Sequence, residues 1–180
     1  MYSYAGIGSR QTPSDVLLLM EKIGVKLALM GFMLRSGGAD GADSAFERGC
    51  DRAGGEKQIF LPWPGFNGRN SPYSWPKDGA FRYAEWYHPA WDRLSNPAKK
   101  LMARNAHQVM GPELDDWVKF VVCWTPDGQA SGGTGQALRM CEGDPSPFVF
   151  NLKNEGSTRA LANHLREIFG LDPKEYRLPC

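Results

Sequence analysis

The sequence predicts an α/β protein with a Rossmann-like open parallel sheet of about five strands and helices on both faces. Three observations predict it. Short apolar runs alternate with helical patterns, three of these runs end in glycine-rich turns, and each turn opens a helical pattern. An aromatic-rich insertion follows the third predicted strand. The 180 residues fit a single domain that includes this insertion at residues 64–97.

The first half of the chain predicts strand, helix, strand, helix and strand in turn. Residues 3–7 and 32–35 are the first two strands, and the helix between them is expected to have Thr12 as its cap and Pro13 at its first position. Its apolar face comprises Val16, Met20, Ile23, Leu27 and Met30. The second helix, before a strand at 58–61, carries Ala42, Ala45, Phe46 and Cys50. Connections of this length imply parallel pairing.

Residues 64–97, which we call the flap, are rich in Pro, Gly, Asn, Trp and Tyr and show no clear period. A long irregular stretch in a compact domain is usually functional, and the aromatic content argues against disorder. We therefore predict a structured flap with a short helix around residues 79–86. Its exposed aromatic side chains favour a homodimer.

The second half of the chain continues the alternation. Its central strand is an unbroken apolar run apart from Lys119, which is typical of a buried parallel strand. The predicted elements are a helix at 97–109, a strand at 118–124, a short helix at 136–141, a strand at 147–152, a helix that Ser157 caps with Leu161, Leu165 and Ile168 on one face, and an irregular tail at 172–180.

Three glycine-rich segments, residues 6–10, 36–43 and 131–136, are called here the first, second and third turns. In an open parallel sheet, ligands bind outside the carboxyl ends of the strands, where the strand order reverses. We expect the first and fourth strands to be neighbours at that point, which places all three turns at one edge of the sheet. Backbone N–H groups and helix N-termini at such an edge bind phosphate or another anion.

The first turn, Gly-Ile-Gly-Ser-Arg, lacks the dinucleotide pattern G-x-G-x-x-G. Gly6 and Gly8 allow close approach of the backbone to a ligand, Ser9 can donate to a phosphate, and Arg10 can bind one bidentately. The third turn has three glycines, two hydroxyls and no acid before a helix, which is the composition of a phosphate site. Its candidate ligand-binding residues are Gly132, Gly133, Thr134, Gly135 and Gln136.

The second turn mixes glycines with two carboxylates, Asp40 and Asp43, which repel phosphate. Asp40 can cap the following helix, either acid can hold ribose hydroxyls, and Glu47 lies one helical turn beyond Asp43. These three acids are the candidate catalytic residues, and Asp40 is also a candidate nucleotide contact, as are Ser36, Gly37 and Gly38.

Two further positions have alternative interpretations. Trp124, at the end of the central strand, can stack on a base or pack at the edge of the sheet. Arg104, Asn105 and His107 can contact a ligand, but a solvated helix face is the favoured interpretation.

Composition excludes several function classes. The net charge of +1 argues against a basic groove for nucleic acid, although it does not exclude a local basic patch. No apolar run approaches the roughly 20 residues of a membrane span, and the first residues do not resemble a signal peptide. No C-x-x-C pair joins Cys50, Cys123, Cys141 and Cys180, so a zinc site is not expected and a reducing cytoplasm fits best. We also expect no cofactor and no other metal site.

Four segments, residues 4–10, 34–47, 61–63 and 123–137, together resemble the SLOG superfamily of Rossmann-like proteins, which includes the LOG phosphoribohydrolases, the Smf/DprA proteins and the YspA-like proteins. The similarity is greatest to the YspA-like branch and its phage-encoded members. The resemblance implies a nucleotide or nucleotide-derived ligand that is sensed, sequestered or processed. It offers two other activities, cleavage of the N-glycosidic bond of nucleoside monophosphates, as in LOG, and binding of single-stranded DNA, as in DprA.

The LOG pattern P-G-G-x-G-T, with a catalytic Glu after it, is altered in this chain. Ser131 replaces the proline, Gln136 replaces the threonine, and Arg139 stands where the glutamate is expected. If this chain hydrolyses a glycosidic bond, the carboxylate must come from elsewhere, with Glu47, Asp40 and Asp43 as the candidates. Nucleotide binding is therefore the favoured function.

Overall fold

A five-stranded parallel sheet forms the centre of the computed structural model, which describes residues 1–142 and 146–176. The strands lie in the order β3-β2-β1-β4-β5 and all pair in parallel. The order reverses between β1 and β4, as the sequence predicts. The strands are β1 (Ser3–Gly6), β2 (Met33–Ser36), β3 (Lys57–Ile59), β4 (Phe120–Cys123) and β5 (Phe148–Asn151).

Six α-helices among the described residues cover the two faces of the sheet. α1, α2 and α6 pack on one face, and α3, α4 and α5 pack on the other. The α/β prediction with helices on both faces is thus confirmed. The helices are α1 (Ser14–Leu29), α2 (Ala42–Arg52), α3 (Asp78–Tyr87), α4 (Asn96–Met110), α5 (Gly132–Met140) and α6 (Ser157–Phe169).

The two faces of β1 carry side chains of different size. Tyr4 packs among Phe46 and Phe120 on the face of α1, α2 and α6. Its neighbour Ala5 points to the opposite face, because successive strand residues alternate. There the core includes the fully buried Ala103 and Ala106 of α4. These small side chains let α4 lie close to the sheet, and this brings its polar residues to the carboxyl ends of the strands.

Glycines, and in one case a proline, stand where the sequence predicts capping side chains. α1 begins after Pro13, and the hydroxyl of Thr12 donates instead to the carbonyl oxygen of Ser9, at 2.7 Å. α2 begins after Gly41, so Asp40 does not cap it. α6 begins after Gly156, not after a capping Ser157. Gly41 and Gly156 have φ values of 83° and 81°, a region that glycine adopts more readily than residues with a side chain. The expected capping by Asp40 and Ser157 is therefore not observed at these two helix starts.

The flap contains the predicted short helix, α3, with Ala80 and Ala84 fully buried. Two 3₁₀ turns, Phe66–Gly68 and Trp91–Arg93, flank it. α5 begins four residues earlier than predicted, inside the third turn.

Two predictions near the C-terminus have different outcomes. Leu161 and Leu165 of α6 are buried, whereas Ile168, which the sequence predicts on the same helix face, is 61% exposed. The part of the predicted irregular tail at residues 177–180 lies outside the described residues. No helix within residues 1–142 and 146–176 has the length and hydropathy required to cross a membrane.

Candidate functional site

A cavity of about 460 Å³ lies at the carboxyl ends of β1, β2 and β4, where the strand order reverses. All three glycine-rich turns contribute to its wall, and so does one side of α4. The lining residues are Ile7, Gly8, Ser9, Arg10, Gln11, Ala39, Asp43, Leu101, Met102, Arg104, Asn105, Gln108, Thr125, Pro126, Ser131, Gly132, Gly133, Thr134 and Ala137.

The structure brings about half of the predicted site residues to this cavity. Those that line it are Gly8, Ser9, Arg10, Asp43, Gly132, Gly133 and Thr134. Those that do not are Gly6, Ser36, Gly37, Gly38, Asp40, Glu47, Trp124, Gly135 and Gln136.

Packing explains why several predicted residues do not line the cavity. Gly6 faces the core, where a Cβ atom would be 2.6 Å from the ring of Phe46. The hydroxyl of the buried Ser36 donates to the carbonyl oxygen of Gly6 at 2.6 Å, which ties β2 to β1. Trp124 packs in the core with 7% of its surface exposed. It is therefore not placed to stack on a ligand in the cavity.

Two of the three candidate catalytic acids also lie elsewhere. Glu47 accepts hydrogen bonds from Lys57, at 3.0 Å, and from Arg69, so its carboxylate ties α2 to β3 and to the flap. Asp40 is exposed, and it lies outside the cavity lining. Asp43 is thus the one candidate acid that the structure places at the cavity.

The first turn is held against α2 and the end of β4. A Cβ atom on Gly8 would be 2.7 Å from Cβ of Ala42 and 3.1 Å from the carbonyl oxygen of Trp124, so glycine is required for this approach. The amide of Ser9 donates to the same carbonyl oxygen at 3.2 Å. This packing presents the exposed Arg10 at the cavity.

The third turn is the first turn of α5, with Ser131 as its N-cap residue. The amides of Gly132, Gly133 and Thr134 have no acceptor inside the helix, because the first N–H groups of any helix lack one. The hydroxyl of Ser131 donates to Asp127 at 2.7 Å, and this bond is the main cause that lowers the pKa of the Asp127 carboxyl. The N-terminus of α5 therefore presents free donors and a positive dipole end to the cavity.

Further contacts fix the position of the third turn. Arg139 donates from Nη1 to the carbonyl oxygen of Ala130 and from Nε to that of Tyr87, both at 2.7 Å. Asn105 of α4 donates from Nδ2 to the carbonyl oxygen of Gly133 at 2.9 Å. The turn is thus held by α4, by α5 and by the flap.

The second turn contributes a buried ion pair. Nη1 of Arg104 lies 3.4 Å from Oδ2 of Asp43 and also donates to the carbonyl oxygen of Gly37. Burial raises the pKa of the Asp43 carboxyl and lowers the pKa of the Arg104 guanidinium. Nε of Arg104 is buried and has no hydrogen-bond partner in the described part of the chain. The cavity wall therefore includes an unused buried donor.

Among the described residues, the cavity lining carries two cationic side chains and one carboxylic acid. Arg10 and Arg104 are the cations, and Asp43 is the acid. Together with the N-terminus of α5, this arrangement favours an anionic ligand. Within residues 1–142 and 146–176, no group of three or more His, Cys, Asp and Glu side chains is placed to hold a metal ion.

The contribution of α4 is the main feature that the sequence interpretation missed. Arg104, Asn105 and His107 are between 4% and 6% exposed, so the favoured interpretation of a solvated helix face is wrong. Gln108, which is 2% exposed and lines the cavity, had not been singled out. The sequence feature that could have indicated this burial is the pair Ala103 and Ala106. Small side chains on one helix face allow the helix to pack closely, so neighbouring polar residues can also be buried.

Comparisons with known proteins add little to this geometry. No protein-family model and no curated protein sequence matches the chain. One solved structure, titled as the function and structure of the molybdenum cofactor carrier protein MCP from Chlamydomonas reinhardtii, is similar with a TM-score of 0.45 and 14% sequence identity. The similarity covers 92% of this chain and 99% of that chain.

Proposed function

We propose that this protein binds a nucleotide, or a small molecule derived from one, through its phosphate at the cavity. One observation carries the proposal: the N-terminus of α5 and the guanidinium of Arg10 line the same cavity at the point where the strand order reverses, and the wall of this cavity also holds the buried, unpartnered Nε of Arg104. Helix N-termini and arginines are the groups that proteins use for phosphate.

The cavity has a volume of about 460 Å³, which suits a ligand larger than phosphate alone. Its wall continues from the third turn across the first turn to Ala39 and Asp43 of the second. Leu101 and Met102 of α4 supply apolar surface between the polar groups. Sites of this kind, mostly apolar with a few polar groups, are typical of small-molecule ligands. The SLOG resemblance also supports a nucleotide.

The direct test is a thermal-shift panel of ribo- and deoxyribonucleoside mono-, di- and triphosphates. A ligand at about 100 times its Kd adds roughly 2.7 kcal/mol to the free energy of unfolding. For a chain of this size, that corresponds to a rise of roughly 5–10 °C in Tm. The proposal fails if no phosphate-bearing compound raises the Tm.

Gly133 offers a sharp variant for this test. A Cβ atom there would be 3.5 Å from Cε of Met102, an ordinary contact, so a side chain is accommodated. Gly133→Asp places a negative charge at the N-terminus of α5 and should abolish the nucleotide-dependent shift. Gly133→Asn has the same shape without the charge and is the matched control. An intact shift in Gly133→Asp would contradict the phosphate site.

Arg10 provides a second variant because it is exposed and its side chain makes no hydrogen bond or ion pair to a described residue. Arg10→Gln should weaken phosphate binding without changing the Tm of the free protein. Arg159→Gln on α6 removes the same charge at an exposed position outside the cavity and should leave binding unchanged.

A second candidate function is N-glycosidic hydrolysis of nucleoside monophosphates. The observation that favours it is Asp43, a carboxyl at the cavity whose pKa is raised by burial, as is common for catalytic acids and bases. The measurement is release of free base from the nucleotides that bind. If the protein releases free base and Asp43→Asn abolishes this release, the result supports hydrolysis. If nucleotides bind but no base is released, only the binding function is supported.

The expected homodimer would use the flap. Trp86 and Trp75 are 83% and 59% exposed, and large exposed aromatic side chains are common at protein interfaces. Sedimentation velocity at micromolar concentration tests this expectation. A dimer that Trp86→Ser dissociates would support it, and a monomer at all concentrations would refute it.

A further inference from the structure

α4 connects two ends of the cavity that belong to different strands. At one end, Asn105 donates to the carbonyl oxygen of Gly133 in the turn that follows β4. At the other end, Nε2 of Gln108 lies beside Gly37, where it would be 2.6 Å from a Cβ atom, in the turn that follows β2. Since β1 lies between β2 and β4, these ends are two strand spacings apart, on the order of 9–10 Å.

The side chain of Gln108 is polar, buried and unused. It is 2% exposed and lines the cavity. Its amide makes no hydrogen bond to any described residue. The amide is not among the fully enclosed unpaired groups, so it is accessible from the cavity. A partner supplied by the ligand would satisfy this amide.

An amide side chain offers one acceptor and two donors close together. The edge of a nucleobase presents adjacent donors and acceptors in the same plane, and glutamine binds such edges bidentately. Ala39, two residues beyond Gly37, lines the cavity at the same end and offers apolar contact for a ring face. This end of the cavity thus has the chemistry of a base site and lacks the amide N–H cluster of the third turn.

We propose that Gln108 hydrogen-bonds to the edge of the ligand's nucleobase and sets the base preference of the cavity. The phosphate then lies over β4 at the N-terminus of α5, the sugar over β1 beside the first turn, and the base over β2. This inference rests on the proposed nucleotide-binding function, because it assigns the second half of the same ligand.

The test is calorimetric titration with inorganic phosphate and with the 5′-monophosphates of adenosine, guanosine, cytidine and uridine. The proteins are the unmodified chain, Gln108→Met, Gln108→Glu and Gln58→Met. Gln58 lies on β3 outside the cavity, where its amide binds Arg35 and Tyr73, so it is a matched control for loss of an amide.

The unmodified chain should bind its preferred nucleotide about tenfold more tightly than its least preferred one, as expected for one good base contact. Gln108→Met should reduce that ratio below about threefold while the Kd for inorganic phosphate stays unchanged. Gln108→Glu, which can only accept, should change the order of preference toward bases with amino groups. Gln58→Met should behave as the unmodified chain.

The outcomes separate the two proposals. Binding of phosphate and nucleotides without base preference, or an unchanged preference in both Gln108 variants, overturns the inference and leaves the proposed function standing. Failure of the unmodified chain to bind phosphate or any nucleotide overturns both. If Gln108→Met does not fold, as its Tm would show, the order of preference in Gln108→Glu decides the question.

Discussion

The guanidinium of Arg104 lies against the backbone of Gly37 and donates to its carbonyl oxygen. A Cβ atom at residue 37 would overlap Nη1 of Arg104 and would lie 2.6 Å from Nε2 of Gln108. The absence of a side chain at Gly37 therefore allows α4 to place two polar side chains at the cavity. Gly37 itself does not line the cavity, so its importance is indirect.

Gly37→Ala should consequently destabilise the protein and weaken ligand binding together. Overpacking of a buried site costs about 1–3 kcal/mol, and the displaced arginine would leave its place beside Asp43. Urea denaturation measures the first effect, and titration with the nucleotide that binds most tightly measures the second. Gly133→Ala is the control for stability, since it has room for a methyl group and alanine is the better helix former. Equal behaviour of the two variants would contradict this account.

Arg139 leads to a prediction about chemistry. The sequence resemblance to LOG would place a catalytic glutamate at this position, but the side chain of Arg139 binds the carbonyl oxygens of Tyr87 and Ala130 and does not line the cavity. Arg139→Glu should therefore fail to create or increase base release, and it should lower the Tm because two acceptors lose their donor. Measurable base release that appears only in Arg139→Glu would show that residue 139 reaches the ligand.

Asp43 separates the binding function from the hydrolytic one. Asp43→Asn removes the one carboxyl that lines the cavity among the described residues, so an anionic ligand should bind about tenfold more tightly. Under the hydrolytic alternative the same variant should lose base release while it keeps its ligand. Titration with phosphate and an assay of free base distinguish these results. Weaker phosphate binding in Asp43→Asn, with an unchanged Tm, would contradict the charge argument.

Much of the fold was predictable because it depends on patterns that lie within short segments. The apolar runs predicted the five strands. The glycine-rich turns after three of them indicated parallel strands with ligand-binding residues at one edge of the sheet. The reversal between β1 and β4 then follows from general rules for such sheets, and the structure confirms it.

The part of the site on α4 was less predictable, for a physical reason. Helical periodicity separates apolar from polar positions, and a polar face normally faces water. In α4 the polar residues Arg104 and Gln108 face a cavity and the backbone of Gly37. The assumption that a polar helix face contacts water therefore predicted exposed side chains where the structure has buried ones. The caps failed similarly, because Gly41 is required where a Cβ atom would be 2.8 Å from the carbonyl oxygen of Ser9, a contact between distant segments.

His107 connects stability of the flap to pH. Its ring is 4% exposed, with Nε2 placed 3.1 Å from the amide N–H of Lys77 and Nδ1 2.9 Å from the carbonyl oxygen of Gly111. The neutral ring with its proton on Nδ1 satisfies both contacts, whereas a second proton on Nε2 would face another donor. Burial lowers the pKa of His107, and it also lowers the pKa values of His88 and His164.

A histidine with a lowered pKa binds a proton more readily in the unfolded chain than in the folded one. The contribution of such a histidine to the free energy of unfolding should therefore be constant above the ordinary histidine pKa of about 6.5 and should fall as the pH drops below it. Each such histidine adds at most about 1.36 kcal/mol per pH unit to this slope. In His107→Gln the amide can also accept from the backbone N–H of Lys77. This variant should reduce the slope of the free energy of unfolding against pH by up to about 1.36 kcal/mol per pH unit. Denaturant unfolding between pH 5 and 8 measures it, and an unchanged slope in His107→Gln would show that the ring at residue 107 does not titrate with unfolding.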